Sequence, residues 1–322
     1  MNIRGSVAAA LLAATLAVPA AVLAQAYPAK SVRLVLPFAA GSAVDALARV
    51  YAQRMSESWK QQVVVDNRTG ANGIIGTEIA ARAPADGYTL NMGNIATLAI
   101  NPTLYAKLPF DVVRDFAPIS LVAEINNCLV VHPSLPVKSV RELIAFAKAR
   151  PGQLNYASGG VGSAQHIPME MLKTLTGINV VHVAYKGLTP AFNDVASGQV
   201  PMIIPGLVTA LPLHQTGRLR ILATTGAKRT SSTPEIPTVA EAGVPGFEWD
   251  SWTGFLAPAG TPPEVISKVN AEAVRITRLP DTQERLPGFA WIGGTPQAFG
   301  DHIKANIARI GKVVREAGIK AE

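Results

Sequence analysis

Short apolar runs recur along most of the chain, separated by stretches whose apolar residues repeat every three or four positions. Continuous runs of this kind, without polar alternation, are typical of strands that are buried on both faces. They predict strands at 32–36, 63–65, 89–92, 119–122, 129–131, 154–157, 180–183, 202–204, 219–223 and 252–256.

The stretches between the runs have the spacing of amphipathic helices. Two of them begin with a capping box, since Ser42 stands three residues before Asp45 and Ser139 three residues before Glu142. Alternating strands and helices favour parallel sheets covered by helices on both faces. Proline and glycine are spread throughout, so the domains need not be consecutive halves. Helices are predicted at 42–55, 74–81, 139–149, 163–175, 238–242, 262–276 and 296–317.

Residues 1–26 have the three regions of a secretory signal peptide. The start is positively charged through Arg4, residues 7–18 are rich in alanine and leucine, and 24–26 form a small-x-small cleavage site. Cleavage after Ala26, or alternatively after Ala24, is therefore expected, and the mature chain would be exported. A retained N-terminal anchor is the alternative interpretation.

The composition narrows the class of protein. The chain has 322 residues, 48% hydrophobic and 16% charged, which excludes extended disorder and is consistent with two domains or one large one. Its single cysteine, Cys128, excludes an intramolecular disulfide and a cysteine-based metal site, and is expected to be buried filler. The formal net charge is +7, yet the densest basic segment, 304–320, alternates with apolar residues at helical spacing. It is interpreted as a solvated helix face, so no nucleic-acid partner is expected.

The common catalytic motifs are missing from the sequence. There is no Walker A pattern, no dinucleotide-binding glycine fingerprint, no serine-hydrolase elbow and no zinc-protease motif. His166 and Glu170 are four residues apart on a predicted helix, but no third ligand accompanies them. A hydrogen-bonded pair is therefore favoured over a metal site, and no metal or cofactor is predicted. An exported binding protein becomes the leading class.

Two strand-to-helix turns could hold an anion. They are 37–45, with Gly41 and Ser42, and 158–163, with three glycines and two serines. Glycine lets the backbone approach a ligand, and the start of a helix presents unpaired N–H groups with a partial positive charge. Each turn taken singly is also explained as a tight turn with a serine cap.

Several segments occur in an order and spacing that resembles the tripartite tricarboxylate transporter receptor family, also called TctC or Bug proteins. The resemblance extends from Tyr27 to the C-terminal helix. The segments are RLVLPF at 33–38, VDNR at 65–68, DGYTL at 86–90, NPTLY at 101–105, DFAPI at 115–119, LNYASG at 154–159, HVAYKG at 182–187, PTVAEAG at 237–243 and APAGTP at 257–262.

The resemblance implies an α/β fold of the two-lobed periplasmic binding protein type. In this Venus-flytrap, type II-like architecture, mixed sheets flanked by helices close around a ligand. Lobe 1 would comprise 27–125 and 247–322, and lobe 2 would comprise 126–246. The hinge would lie near 123–127 and 247–251.

The same resemblance implies a function without catalysis. The protein would be a periplasmic, monomeric receptor that captures an organic carboxylate and delivers it to the separate membrane subunits of a tripartite tricarboxylate-type transporter. A sensor that reports to a membrane kinase is the alternative. An exported hydrolase using Ser163 with His166 is a weaker one.

The expected ligand contacts come from loops of both lobes. Asp45 is expected to cap a helix, whereas Ser42, His166 and Lys186 could each contact the ligand or serve the structure. The candidate contacts are Phe38, Ala39, Gly41, Ser42, Ala43, Asn94, Ala96 and Thr97 in lobe 1, with Ser158, Gly159, Gly162, Ser163, His166, Lys186, Pro205 and Gly206 in lobe 2.

Two departures from the family pattern bear on the ligand. Gly41–Ser42 stands where relatives have two glycines, and 204–206 reads Ile-Pro-Gly where relatives often carry Phe-Asp. The second change removes an acid that could pair with a ligand ammonium group. A dicarboxylate, tricarboxylate or aromatic carboxylate is therefore predicted in preference to an amino acid.

Overall fold

The computed structural model describes residues 27–286 and 289–320, so the predicted signal peptide lies outside the described residues. The strands are β1 (Val32–Leu36), β2 (Val63–Asn67), β3 (Thr89–Asn94), β4 (Phe116–Ile125), β5 (Cys128–Val131), β6 (Leu154–Ser158), β7 (Val180–Ala184), β8 (Met202–Ile203), β9 (Arg220–Thr224), β10 (Ser251–Pro258) and β11 (Phe289–Trp291).

The helices are α1 (Ala43–Trp59), α2 (Ile74–Ala81), α3 (Asn101–Leu104), α4 (Val140–Lys148), α5 (His166–Thr176), α6 (Leu188–Ala196), α7 (Leu207–Gln215), α8 (Pro263–Thr277), α9 (Pro280–Arg285) and α10 (Pro296–Glu316). A 3-10 turn over Ala71–Gly73 precedes α2, and a π-helical turn over Ala96–Ile100 precedes α3. Within the described ranges, no helix combines the length and apolarity needed to cross a bilayer.

Six strands form the largest sheet, in the order β11-β4-β10-β3-β1-β2. The neighbours β2 and β3 run parallel to β1, because a crossover helix follows each of the first two strands. In contrast, β10 is antiparallel to both β3 and β4, and β11 is antiparallel to β4. This sheet therefore joins the beginning and the end of the described chain.

The strands between β4 and β10 form two smaller sheets, β8-β5-β9 and β6-β7. Only β6 and β7 are parallel, because β5 pairs antiparallel with both of its neighbours. The expectation of parallel sheets, drawn from the alternation of strands and helices, is thus met only in part, and the sheets are mixed, as the resemblance implied. It holds where a helix links two paired strands, but β4 passes to β5 through two residues and β10 is entered from a long segment without a helix.

Asn127 ties together the two segments that pass between these sheets. Its carbonyl accepts the N–H of Thr225 at 2.9 Å, and its side-chain oxygen accepts the N–H of Ser251 at 3.1 Å. Asn127 also forms an isolated β-bridge with Gly206. The chain therefore crosses twice at one place, in the segments where the hinge was predicted.

Aromatic side chains fill both faces of the large sheet. On one face the rings of Tyr51 from α1 and Phe255 from β10 meet edge to face, with centroids 5.2 Å apart. On the other face Trp252 of β10 and Phe299 of α10 cross at 89°. Such edge-to-face pairs add to the stabilisation from buried area. Cys128 is fully buried, as predicted.

Two helix predictions need correction. The helix expected from residue 163 begins at His166, because the glycine-rich loop continues through Ser163. The helix expected over 238–242 is a turn. Its capping box forms, with Thr238 Oγ1 accepting the Glu241 N–H at 3.1 Å, but Gly243 at φ +114° ends the segment at once.

Candidate functional site

Three loops at the carboxyl ends of β1, β2 and β3 pack together. A Cβ on Gly73 would lie 2.6 Å from Thr97 Cγ2 and 3.2 Å from Pro37 Cβ, and Gly73 also has φ +84°. Only glycine fits this junction, since both the space and the backbone conformation exclude a side chain. The loop after β1 and the segment after β3 are thereby held side by side, as the candidate contacts require.

Asp45 organises the loop after β1. Its carboxylate accepts hydrogen bonds of 2.9 Å from the Gly41 N–H, from Arg49 Nε and from Asn67 Nδ2. Asn67 Nδ2 also donates to the Phe38 carbonyl at 3.0 Å. Burial acts to raise the pKa of Asp45, but these hydrogen bonds outweigh it and hold the pKa below its usual value. The carboxylate stays ionised and fixes the shape of the loop.

The Ser42 hydroxyl caps α1, accepting the Asp45 N–H at 3.2 Å. The capping box predicted at this position is therefore formed, and the Gly41 N–H is already bound to Asp45. Within residues 27–286 and 289–320, the N–H groups of Ala39, Ala43 and Val44 make no hydrogen bond. These three groups remain available to an anion at the beginning of α1.

The segment after β3 closes on itself. The Asn94 side-chain oxygen accepts the N–H groups of Ala96 at 2.9 Å and Thr97 at 3.2 Å, and Thr97 Oγ1 accepts the Asn94 N–H at 3.1 Å. Ala96 and Thr97 are buried, whereas Asn94 is half-buried. This turn starts the π-helical segment and leaves Asn94 as its accessible member.

Hydrogen bonds from the side chains of Ser158 and His166 shape the loop after β6. Ser158 Oγ lies 3.0 Å from both the nitrogen and the oxygen of Gly160, and 2.5 Å from His182 Nε2. The Gly162 N–H donates to His166 Nδ1 at 3.2 Å. Ser158, Gly162 and His166 are all buried, so these groups hold the loop rather than line its surface.

The two imidazoles next to this loop belong to one cluster, in which His166 is buried and His182 is half-buried. The rings of His166 and His182 stack with centroids 4.1 Å apart, and Tyr156 stacks on His182 at 4.9 Å. Glu170 accepts hydrogen bonds from the Tyr156 hydroxyl and from Lys173 Nζ. Burial, aided by the neighbouring His182 and Lys173, lowers the pKa of His166 to about 4.

The His166–Glu170 pair is close but not hydrogen-bonded. His166 Nε2 lies 3.8 Å from Glu170 Oε1, beyond hydrogen-bond distance. The predicted hydrogen bond between them is therefore wrong, because the carboxylate is taken by Tyr156 and Lys173. No group of three potential metal ligands forms anywhere in the described part of the chain.

A second loop lies beside the glycine-rich loop. A Cβ on Gly159 would lie 3.2 Å from the Leu188 nitrogen, and one on Gly160 would lie 3.3 Å from the Tyr185 oxygen. Lys186 stands exposed between these contacts. Near the crossing, buried Pro205 and Gly206 lead into α7.

Asn72 reaches across to the glycine-rich loop. Its Nδ2 donates to the Gly162 carbonyl at 3.0 Å and to Asn101 Oδ1 at 2.9 Å. A Cβ on Gly162 would overlap Leu104 Cδ2. The loop after β6 therefore rests on residues that belong to the layer of the large sheet. Sequence reasoning missed Asn72; the sequence offers only the Asn-Gly pair at 72–73, which is typical of the left-handed backbone that Asn72 adopts (φ 50°) but does not indicate the contact with Gly162.

The proposed serine–histidine dyad does not form. Ser163 Oγ accepts the backbone N–H of His166 at 3.3 Å, while the ring nitrogens face Gly162 and Glu170. A different pair, Ser158 with His182, is in contact, but Ser158 has no exposed surface through which to reach a substrate.

The fold, in which the glycine-rich loop of one layer rests on the other layer through Asn72, defines a solute-binding protein of the periplasmic type. The chain belongs to the family of tripartite tricarboxylate transporter receptors (TctC), whose model matches residues 47–319. This confirms both the resemblance and the two-lobed α/β fold class that it implied.

Three solved structures illustrate the similarity. R. palustris Rpa4515 with adipate is 40% identical, with a TM-score of 0.86 over 91% of this chain and 99% of that one. The periplasmic binding protein BugD is 31% identical, with a TM-score of 0.84 over 92% and 100%. MatC from Rhodopseudomonas palustris with bound malate is 29% identical, with a TM-score of 0.82 over 89% and 100%. Membership of this family implies a periplasmic location.

Proposed function

We propose that this protein is a periplasmic receptor that closes two lobes around an organic dicarboxylate. The observation that carries the proposal is the seating of one glycine-rich loop on the other layer through Asn72 and Gly162. Among the described residues, both the loop after β1 and the loop after β6 have N–H groups without a hydrogen-bond partner. The structures of the two R. palustris relatives, one with adipate and one with bound malate, support the same chemistry.

The N–H groups would bind the carboxylate without a cationic side chain. Ala39, Ala43 and Val44 offer them from the first loop, and within the described residues Gly159 and Val161 also have N–H groups without a partner. Hydrogen bonds to a charged acceptor contribute about 1.5–3 kcal/mol each. A ligand that touches both loops stabilises the closed form, because it contacts both only there.

The lobes would be 27–125 with 247–322, and 126–246, with the hinge near 123–127 and 247–251. Sheet membership supports this division, since β5 to β9 form their own sheets and the crossing segments meet at Asn127. The mature chain would begin after Ala26. It would act as a monomer and deliver its ligand to the membrane subunits of a tripartite transporter.

A thermal-shift panel with the mature protein tests this function. Adipate and malate at about 100 times their dissociation constants should each stabilise the protein by about 2.7 kcal/mol. Aspartate and glutamate should give smaller shifts, because 204–206 offers no carboxylate for an ammonium group. A sugar serves as the negative control. A panel in which no carboxylate shifts the melting temperature, after denaturation and refolding to remove bound ligand, would contradict the proposal.

Replacing Ala43 with proline should weaken dicarboxylate binding by about tenfold or more, because it deletes one N–H from the anion site. Ala43 is the first residue of α1, where proline is well tolerated, and Ser42 at φ −74° and ψ 161° suits a following proline. Isothermal titration with adipate measures the effect. Ala43→Ser keeps the N–H and is the matched control, so equal losses in the two variants would refute the N–H contact.

A further inference from the structure

The imidazoles of His166 and His182 lie directly beneath the proposed ligand loop, 158–163. His166 comes from the start of α5 and His182 from the middle of β7, and their rings stack at an interplanar angle of 23°. Both rings are hydrogen-bonded to groups that shape the loop. His166 accepts the Gly162 N–H, and His182 contacts Ser158 Oγ.

The hydrogen bonds fix the protonation of His166. A backbone N–H can only donate, so the Gly162 N–H at 3.2 Å requires a lone pair on His166 Nδ1. The ring is therefore neutral, with its hydrogen on Nε2, which faces Glu170 at 3.8 Å. Proton uptake at Nδ1 would turn this nitrogen into a donor that faces the Gly162 N–H donor, so the hydrogen bond would break.

Ser158 connects His182 to the same loop. The single hydroxyl hydrogen of Ser158 can be donated either to the Gly160 carbonyl or to His182 Nε2. When it is donated to Gly160, His182 Nε2 supplies the hydrogen of the 2.5 Å contact. His166 is thus hydrogen-bonded directly to Gly162, and His182 is linked to Gly160 through Ser158.

Two charged side chains of α5 face the His166 ring. Glu170 and Lys173 of α5 oppose each other at 2.7 Å, and the Tyr156 hydroxyl of β6 donates to the same carboxylate. Burial has the largest effect on the pKa of His166 and lowers it; His182 and Lys173 lower it further, and the Glu170 charge raises it. Burial disfavours a cationic His166, so its pKa falls to about 4, and a proton on either stacked ring opposes a proton on the other.

We propose that His166 and His182 are positioning residues of the ligand loop, with neutral His166 holding Gly162 in the conformation that contacts Asn72 and seats the loop. This inference rests on the proposed function. Proton uptake releases the Gly162 N–H and with it the Asn72 contact to the Gly162 carbonyl. Capture of the carboxylate therefore weakens as the pH falls towards 4.

Two substitutions at one position separate positioning from packing. His166→Asn places an amide oxygen near the site of Nδ1, so it keeps an acceptor for Gly162 but cannot titrate in this range. His166→Ala removes the acceptor, and both variants lose the ring stack. At pH 7.5, adipate affinity should fall by about fivefold or more in His166→Ala and stay close to wild type in His166→Asn. Equal losses in both would show a packing role and overturn the inference.

The pH profile is the second readout, measured by titration calorimetry from pH 7.5 to 4. At pH 4, where half of the His166 rings carry a proton, wild type should lose up to about twofold in affinity relative to His166→Asn. The ratio of the two proteins cancels the titration of adipate itself. His132→Asn, at the far end of β5, is the control and should follow wild type. Parallel profiles for wild type and His166→Asn would overturn the inference.

A measurement without ligand keeps this inference separate from the proposed function. In the ligand-free protein, the Gly162 amide resonance should shift with the same apparent pKa as the His166 ring, and this shift should vanish in His166→Asn. If no carboxylate binds at pH 7.5, the proposed function fails while this coupling can still be observed. A Gly162 resonance that ignores the His166 titration would overturn the coupling.

Discussion

Gly162→Ala is expected to reduce dicarboxylate affinity by about tenfold to a hundredfold while leaving the protein folded. Gly162 has φ +73°, where a side chain costs about 1–2 kcal/mol, and the new methyl group would overlap Leu104 Cδ2. Leu104 lies in the opposing layer, so the overlap arises only when the loop is seated. The closed form is therefore destabilised more than the open one, and calorimetric titration with adipate measures the difference.

Gly177→Ala is the matched control for the cost of placing a side chain on left-handed backbone. Gly177 has φ +69° at the end of α5, in the same proposed lobe, and its Cβ would meet nothing within 4 Å. This variant should lose stability but not affinity. A Leu104→Ala change added to Gly162→Ala should recover part of the lost affinity. If Gly177→Ala weakens binding as much as Gly162→Ala, the contact with Leu104 does not explain the effect.

The parts of the fold that sequence predicts well are those that neighbouring residues decide. The capping boxes at Ser42 and Ser139 form as expected, because each hydrogen bond joins residues three positions apart. Thr238 shows the limit of this reasoning. Its capping box also forms, yet Gly243 ends the segment before a helix can follow. A cap establishes where a helix could begin and says nothing of its length.

Strand direction was beyond local reasoning. The runs at β4 and β10 look like those at β1 and β3, because burial on both faces selects the same residues in parallel and antiparallel sheets. Their pairing joins residues more than a hundred positions apart, such as Ser251 with Ile125. Only the resemblance to a known family, which implied mixed sheets, pointed to the arrangement.

The candidate site also has a part that the local sequence predicts and a part that it does not. Glycine and serine marked the two loops, since a backbone that approaches a ligand needs them locally. Asn72 was missed because its contact with Gly162 spans ninety positions, and the stacking of His166 on His182 joins separate elements. No local pattern in the sequence carries such contacts.

Asp250 lies in the crossing segment directly before β10, among other acids. It is partly buried, and one of its oxygens is buried without a hydrogen-bond partner. Burial, together with the nearby charges of Glu124 and Glu248, raises the pKa of Asp250 to about 7. Arg309 opposes this shift but donates its own hydrogen bonds to the Glu248 carbonyl and to Asn306. The segment proposed as the hinge therefore holds a carboxyl group whose ionised form destabilises the folded protein.

Asp250→Asn should stabilise the protein at pH 8 by roughly 2–4 kcal/mol and have little effect near pH 4. The pKa of this acid is higher in the folded protein than in the unfolded chain. Wild type is therefore most favoured below the unfolded value of 3.8 and loses stability as the pH rises towards about 7. The amide cannot ionise and escapes this loss.

Urea denaturation of both proteins across this pH range measures the difference. Asp301→Asn, an exposed position on α10, is the control and should track wild type. A gain for Asp250→Asn that is the same at pH 4 and pH 8 would mean that shape or hydrogen bonding, rather than ionisation, sets the cost. The expected growth of the gain with pH would instead show that Asp250 titrates within the segment proposed as the hinge.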